Sequence, residues 1–277
     1  MSKTTRSIID MVDSDPTVDN SASFNRLWDL LGRYKQRLAE QFELHEDRSS
    51  TGLQPYRGLP ESGGAAGFMS HFAGPDIDWL VHSWVGNPKY SFTNMHLTIH
   101  LGAQYDIPHL GLAYGTTPDL FFYMDYMPRK DLWLHPEYMD QYYLEANQQF
   151  LDLQNDERFT SFISQDVYTR VAQSATSLCV SAPVNEETMA VVEHHSRAML
   201  ERWIGWVQSA QPQEPEAWQA QADRDLQIRR TITERDPVNP LAQRLFGEPL
   251  AGRLVRSLWG GDRQLPRAHQ WREQDPG

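Results

Sequence analysis

The sequence predicts an α+β protein in which helices pack on both faces of one mainly antiparallel sheet, and three observations carry that reading. An N-terminal segment repeats apolar residues at helical spacing. Five runs between Phe68 and Met127 are strand-like in composition and separated by short breaks. From His135 onward helical spacing returns. A helix, then strands, then helices is the order expected when one sheet is covered from both sides.

The first helix is SFNRLWDLLGRYKQRLAEQFEL, where Phe24, Leu27, Leu31, Tyr34, Leu38 and Phe42 follow three- and four-residue spacing behind a Ser cap. Residues 1–20 before it read as a frayed tail. The loop SSTGLQPYRGLPESGGAAG follows, too irregular for either period. The strands are Phe68 to Phe72, Ile77 to Val85, Tyr90 to Leu101, His109 to Tyr114 and Leu120 to Met127. Their breaks, GPD, GNPK, GAQYDIP and GTTPD, are short enough for an antiparallel meander. Helices are then expected in HPEYMDQYYLEANQQFLDLQ, NEETMAVVEHHSRAMLERWIGWVQ, PEAWQAQADRDLQIRRTITERD and PLAQRLFGEPLAGRLVRSLWG, the last interrupted at Gly247 and Pro249. One domain over residues 21–262 and a polar tail over residues 263–277 complete the division.

Composition narrows the function. A chain of 277 residues with 40% hydrophobic residues can bury a full core, so a folded globular protein is expected. The single cysteine, Cys179, excludes an internal disulfide and any multi-cysteine metal site from this chain alone, which fits a reducing cytoplasm. There is no long apolar run near the start or elsewhere, so neither export nor a membrane span is expected. A net charge of −12 argues against nucleic acid or an anionic membrane as partner. The oligomeric state stays open, a homodimer included.

No GxGxxG, P-loop, HExxH or GxSxG sequence is present. The HLTIH pair invites a metal, but on a strand His96 and His100 stand about 13 Å apart, too far to share one ion bound at about 2 Å. No metal is expected. His71, His82, His194 and His195 read as structural. On the strand ending at Leu101, His96, Thr98 and His100 share one face while Met95, Leu97, Ile99 and Leu101 take the other. No charged residue occurs between Lys89 and Asp106. A covered cleft explains histidines without lysines or glutamates; a solvent-exposed face is the alternative.

The segment HLTIHLGAQYDIPHLG, His96 to Gly111, resembles the ferredoxin-dependent bilin reductases. Three further stretches resemble the red chlorophyll catabolite reductases of the same superfamily: MDYMPRKDLWLHPEYMDQYYLEA, QSATSL, and DRDLQIRRTITERDPVNPLAQRLFGEPLAGRLVRSLWG. The pieces fall in order from about Ile77 to Gly260. The resemblance implies a three-layer α/β/α sandwich holding its substrate between the sheet and the C-terminal helices. It implies reduction of a linear tetrapyrrole, with reduced ferredoxin as external electron donor, protons from side chains, and no bound cofactor. Position by position, His96 matches the strand histidine at the substrate, and Asp236, in TERDP, the C-terminal aspartate of the pocket. Both are the expected catalytic residues; His100, Tyr105, Ala113, Tyr114 and Arg229 are expected to line the substrate site. One departure stands out: Ala113 occupies the position of the family's usual strand carboxylate, and a methyl group donates no proton.

The residues also allow a cofactor-independent lyase or isomerase of a smaller aromatic compound, with His96 or His100 as base and Asp236, Tyr105 or Tyr114 as its partner. A pigment-binding protein is a third reading. Arg229, Arg230, Arg235, Arg244, Arg253 and Arg256 gather positive charge near the C-terminus, either as solvated helix surface with internal ion pairs or as a face for acidic ferredoxin.

Overall fold

The computed structural model describes residue 13, residues 16–164 and residues 166–274. Most of the predicted N-terminal tail, residues 1–12, 14 and 15, lies outside the described residues. Helix α1 (Ser21–Ala39) is followed by strands β1 (His45–Glu46), β2 (Tyr56–Arg57), β3 (Ala66–Ala73), β4 (Ile77–Gly86), β5 (Thr93–Leu101), β6 (His109–Thr116) and β7 (Leu120–Met127). Then come α2 (Pro136–Asn155), β8 (Thr160–Ser161), α3 (Val167–Ala172), β9 (Leu178–Ala182) and α4 (Glu186–Ser209). The chain closes with α5 (Trp218–Glu234), α6 (Asn239–Phe246), α7 (Glu248–Trp259) and α8 (Ala268–Gln274).

The described strands form one antiparallel sheet in the order β1-β3-β4-β5-β6-β7-β9-β8, with β2 also paired to β3. This is the α+β class read from the element order. The five expected strands are present as β3 to β7. Tyr90 falls outside its strand, in a single helical turn at Pro88–Tyr90. Strand β9 is an addition, short but alternating, with Leu178, Val180 and Ala182 buried and Cys179 and Ser181 half-buried.

Side-chain periodicity explains the packing. The α1 stripe Phe24, Leu27, Leu31, Tyr34 and Leu38 is buried, as its spacing requires. It joins one apolar cluster with Met95, Leu97, Ile99 and Leu101 of β5, Leu110, Leu112 and Tyr114 of β6, and Val192, Leu200 and Trp203 of α4. A second cluster sets Met69, Trp79 and Val81 against Phe246 of α6 and Leu254 of α7. Strand β4 serves both: Ile77 and Leu80 belong to the first, Trp79 and Val81 to the second.

The interruption expected at Gly247 separates α6 from α7. Gly247 takes φ +76°, a left-handed value that L side chains resist, and Pro249 follows within the first turn of α7. The C-terminal stretch that reads as a polar tail carries a helix and fixed contacts. Ala268 and His269 are buried, and Arg263 and Arg267 both reach Asp78 of β4, at 3.2 and 2.6 Å.

Candidate active site

The sheet face opposite α1 and α4 is assembled by register. His96 stands across from Ser83 of β4 on one side and Ala113 of β6 on the other. Ala113 in turn faces Tyr123 of β7, and Tyr123 faces Cys179 of β9. The next row runs Thr98, Gly111, Asp125. A third runs Asn94, Gly115, Phe121 and Ser181. Along β6 this face begins with His109 and then carries Gly111, Ala113 and Gly115, none of these three larger than a methyl group. The smallness is required at Gly115, where a Cβ would lie 2.2 Å from the Phe121 ring and 2.3 Å from the Thr93 carbonyl. The result is a strip of small residues beside His96, a trough in side-chain height, with the Phe121 and Tyr123 rings set against its two glycines.

His96 is half-buried, and no hydrogen bond joins it to any described residue. Burial lowers its pKa to about 4, so the ring is neutral at neutral pH and offers one N–H and one lone pair. Asp236 lies in the turn between α5 and α6, where its Oδ1 accepts the Val238 amide at 2.8 Å. Burial raises its pKa, the Val238 amide opposes this, and the Asp166 carboxylate at the start of α3 raises it further. Among the described residues no hydrogen bond or ion pair joins Asp236 to His96.

Helix α5 is tied across the sheet by an inward-facing charged stripe, Asp225 and Arg229. Arg229 donates to Asp78 Oδ2 at 3.2 Å, and Asp225 accepts two bonds from the buried Arg129 guanidinium. The remaining Arg129 nitrogen donates to the carbonyls of Gly102, Tyr105 and Ile107, which pins the β5–β6 turn beneath α5. His100 lies within this network, its ring 4.9 Å from that of His109. Burial, then the Arg229 and His109 charges, hold the His100 pKa well down. His109 Nδ1 accepts the Leu101 amide at 3.0 Å, which leaves its Nε2 to carry the proton, 3.7 Å from Asp225. Arg229 Nε, His100 Nδ1 and His109 Nε2 are all buried without a hydrogen-bond partner among the described residues. Such groups call for one.

Other expected residues are placed differently. Tyr114 points to the opposite face from Ala113 and is fully buried in the cluster with α1 and α4. Tyr105 donates its hydroxyl to Asp76 at 2.9 Å, in the β3–β4 turn, away from His96. His82 stacks on Trp28 and His71 on Trp79, both as buried neutral rings. The arginine group is largely partnered within the chain. Arg230 pairs with Glu234, Arg244 with Asp13 and Arg256 with Asp262. Arg235 bonds the Tyr168 hydroxyl, and Arg253 bonds the carbonyls of Ser49 and Thr51. Arg230, Arg244 and Arg256 keep half of their side chains in solvent.

One group on this face is absent from the sequence-derived candidates. Asp125 is fully buried; Ser174 donates to it through both hydroxyl and amide, at 2.6 and 3.0 Å, and Tyr123 through its hydroxyl at 3.0 Å. The available signal is a lone carboxyl inside the apolar run FFYMDYM, on the same face as Tyr123 by strand alternation. No three or more His, Cys, Asp or Glu among the described residues converge to hold a metal ion, and no described helix is long and apolar enough to cross a membrane.

The antiparallel sheet with helices packed against it has a solved counterpart. The crystal structure of phytochromobilin synthase from tomato in complex with biliverdin superposes with a TM-score of 0.69, covering 84% of this chain and 82% of that one at 14% identity. The fold is thus that of a ferredoxin-dependent bilin reductase. Residues 60–259 match the red chlorophyll catabolite reductase family, and the chain belongs to that family of oxidoreductases. It is 27% identical over 199 residues to red chlorophyll catabolite reductase of Hordeum vulgare, covering 66% of this chain and 96% of that protein. Against red chlorophyll catabolite reductase 1, chloroplastic, of Oryza sativa subsp. japonica, identity is 25% over 202 residues, 67% of this chain and 60% of that protein.

Proposed function

We propose that the protein reduces a linear tetrapyrrole of the chlorophyll-catabolite or bilin type, taking single electrons from reduced ferredoxin. The observation that carries this reading is the span of the family match, residues 60–259, which takes in the trough-bearing strands and α5 to α7 together. The sandwich implied by the resemblance is supported by two apolar clusters that share β4 through alternate residues. The substrate lies between the sheet face and α5, with Ala113 as floor. Arg230, Arg244 and Arg256 contribute to the face that meets acidic ferredoxin. A reducing compartment such as the cytoplasm suits the single Cys179 thiol, which burial pushes up to about 11.

Asp236 is the proton donor, because its raised pKa keeps a larger share of the acid form near neutrality. His96, neutral at the working pH, is a hydrogen-bond anchor for a pyrrole nitrogen or lactam oxygen. His100 and Arg229 contribute to binding a carboxylate side chain of the tetrapyrrole, whose oxygens would satisfy nitrogen atoms now without partners. Reduction is preferred over the lyase, isomerase and pigment-binding readings because the family is one of oxidoreductases.

The test is direct. Biliverdin added to the protein should shift in visible absorbance, and anaerobic incubation of red chlorophyll catabolite with reduced ferredoxin should give turnover. Absence of both ends the reading; binding without turnover leaves a pigment carrier. In the same assay His96→Ala should weaken biliverdin binding about fivefold, the loss of one hydrogen bond of about 1 kcal/mol, with a smaller change in kcat. A loss confined to kcat would move His96 from anchor to donor.

A further inference from the structure

Reduction leaves one buried carboxyl on the sheet face without a task. Asp125 sits beneath the trough in the middle of an apolar strand, where an ionised carboxylate is costly to place. It is held there by three donors: the Ser174 amide, the Ser174 hydroxyl and the Tyr123 hydroxyl. Of these, Tyr123 alone belongs to the row that contains His96. The register is His96, Ala113, Tyr123 on three adjacent strands, so the outer two backbones are about 10 Å apart with a methyl group between them. Tyr123 is half-buried, and its ring leans toward Gly111, where an added Cβ would lie 3.3 Å from Cε1. The phenol thus lies along the Gly111 row, next to Ala113, with the Asp125 carboxyl at its hydroxyl.

We propose that the Tyr123 hydroxyl, backed by Asp125, delivers one of the two protons of tetrapyrrole reduction from beside Ala113. The inference rests on the reductase reading. An electron passes from reduced ferredoxin, an iron–sulfur protein, to the tetrapyrrole; ferredoxin is oxidised by one electron and the tetrapyrrole gains the negative charge. The Tyr123 O–H bond breaks as a bond to hydrogen forms on the tetrapyrrole. The carboxylic proton of Asp125 then re-forms the Tyr123 O–H, and Asp125 is left as carboxylate, stabilised by Ser174. The second electron is matched by the proton of Asp236, giving two electrons and two protons in total. Tyr123 is the catalytic residue of this pair and Asp125, acting through it, the positioning residue.

The surroundings suit a relay. Burial raises the Asp125 pKa to about 6, against the Ser174 and Tyr123 donors. The titratable groups packed around it are Tyr123 on its own strand, Cys179 on β9, Tyr126 on β7 and Tyr143 on α2, and burial raises all four. They stay neutral at pH 6 to 8, so Asp125 titrates among uncharged neighbours.

Three variants test the assignment with biliverdin for binding and red chlorophyll catabolite with reduced ferredoxin for turnover. Tyr123→Phe should bind biliverdin within about threefold of the unmodified protein and turn over at least tenfold more slowly. Adding Ala113→Asp to Tyr123→Phe should restore at least threefold of that rate, which a purely structural loss would not allow. Asp125→Asn should remove the limb of the pH–rate profile near pH 6. Wild-type turnover in Tyr123→Phe overturns the proposal, and so does loss of biliverdin binding in that variant, because a donor acts after binding. If Tyr123→Phe does not fold, an unchanged pH profile in Asp125→Asn overturns it. Failure of the unmodified protein to bind and turn over strikes the reductase reading itself, and the relay falls with it.

Discussion

Asp236→Asn should lower turnover of the tetrapyrrole by about 10²- to 10⁴-fold, the range for loss of a positioned general acid, while leaving the visible-absorbance shift on binding intact. The amide keeps an oxygen to accept the Val238 amide, so the α5–α6 turn is retained and the change isolates the proton. The pH dependence follows from the direction of the shift. The donor is the protonated form, so activity due to Asp236 is full below its pKa and falls as pH rises through it. Burial and the Asp166 charge both move that fall to higher pH than an ordinary carboxyl would give. Asp166→Asn should therefore shift the fall to lower pH without abolishing turnover. The amide oxygen can still cap α3 by accepting the Thr169 N–H. Measuring kcat against pH for the three proteins decides it. An Asp236→Asn enzyme with undiminished kcat removes Asp236 from the mechanism.

Strands β3 to β7 are legible because each is strand-like in composition and each break carries Gly and Pro, so composition and punctuation agree. Strand β9 is five residues between two helical stretches, and β1, β2 and β8 are two residues each, too short for any period. At the site, alternation along β5 separates His96 from the core, and the same rule extended to β6 separates Ala113 from Tyr114. Two neighbours on one strand cannot both line one face. What local pattern cannot show is pairing at long range. Arg229 reads as one of a group of C-terminal arginines and Asp225 draws no notice, yet their partners are Asp78 and Arg129, 151 and 96 residues away. Arg263 and Arg267 read as a polar tail for the same reason. Asp125 is hidden differently: a carboxyl in an apolar strand is a conspicuous residue, but its partners Tyr123 and Ser174 emerge only once β7 and the segment before β9 are side by side.

The long-range pairing also sets the largest expected effect on stability. Asp78 is buried at the start of β4 and meets three guanidinium groups, Arg229, Arg263 and Arg267, while also accepting the Ala268 amide. Burial alone would raise its pKa; the three arginines together outweigh that and hold the carboxyl far below the usual carboxylate range. Asp78→Asn keeps the shape and removes the charge, which leaves the buried Arg229 and the largely covered Arg263 and Arg267 without their counterion. Breaking a buried pair in this way costs about 3–5 kcal/mol, which corresponds to a melting temperature lower by about 5–9 °C for a chain of this size. Because the folded pKa of Asp78 lies below its unfolded value, its contribution is fully present above the unfolded pKa of about 3.9 and is lost as pH falls through the folded pKa. The stability gap between the two proteins, read from urea midpoints and slopes, should therefore be constant from pH 8 to about 5 and narrow below about 4. The loss should be felt where the arginines lead: Arg229 belongs to α5, which runs into the turn holding Asp236, and Arg263 and Arg267 hold the segment leading into α8. A variant as stable as the unmodified protein would mean that the cluster tolerates loss of its anion. Turnover that falls together with melting temperature would tie the position of Asp236 to the Asp78 clasp.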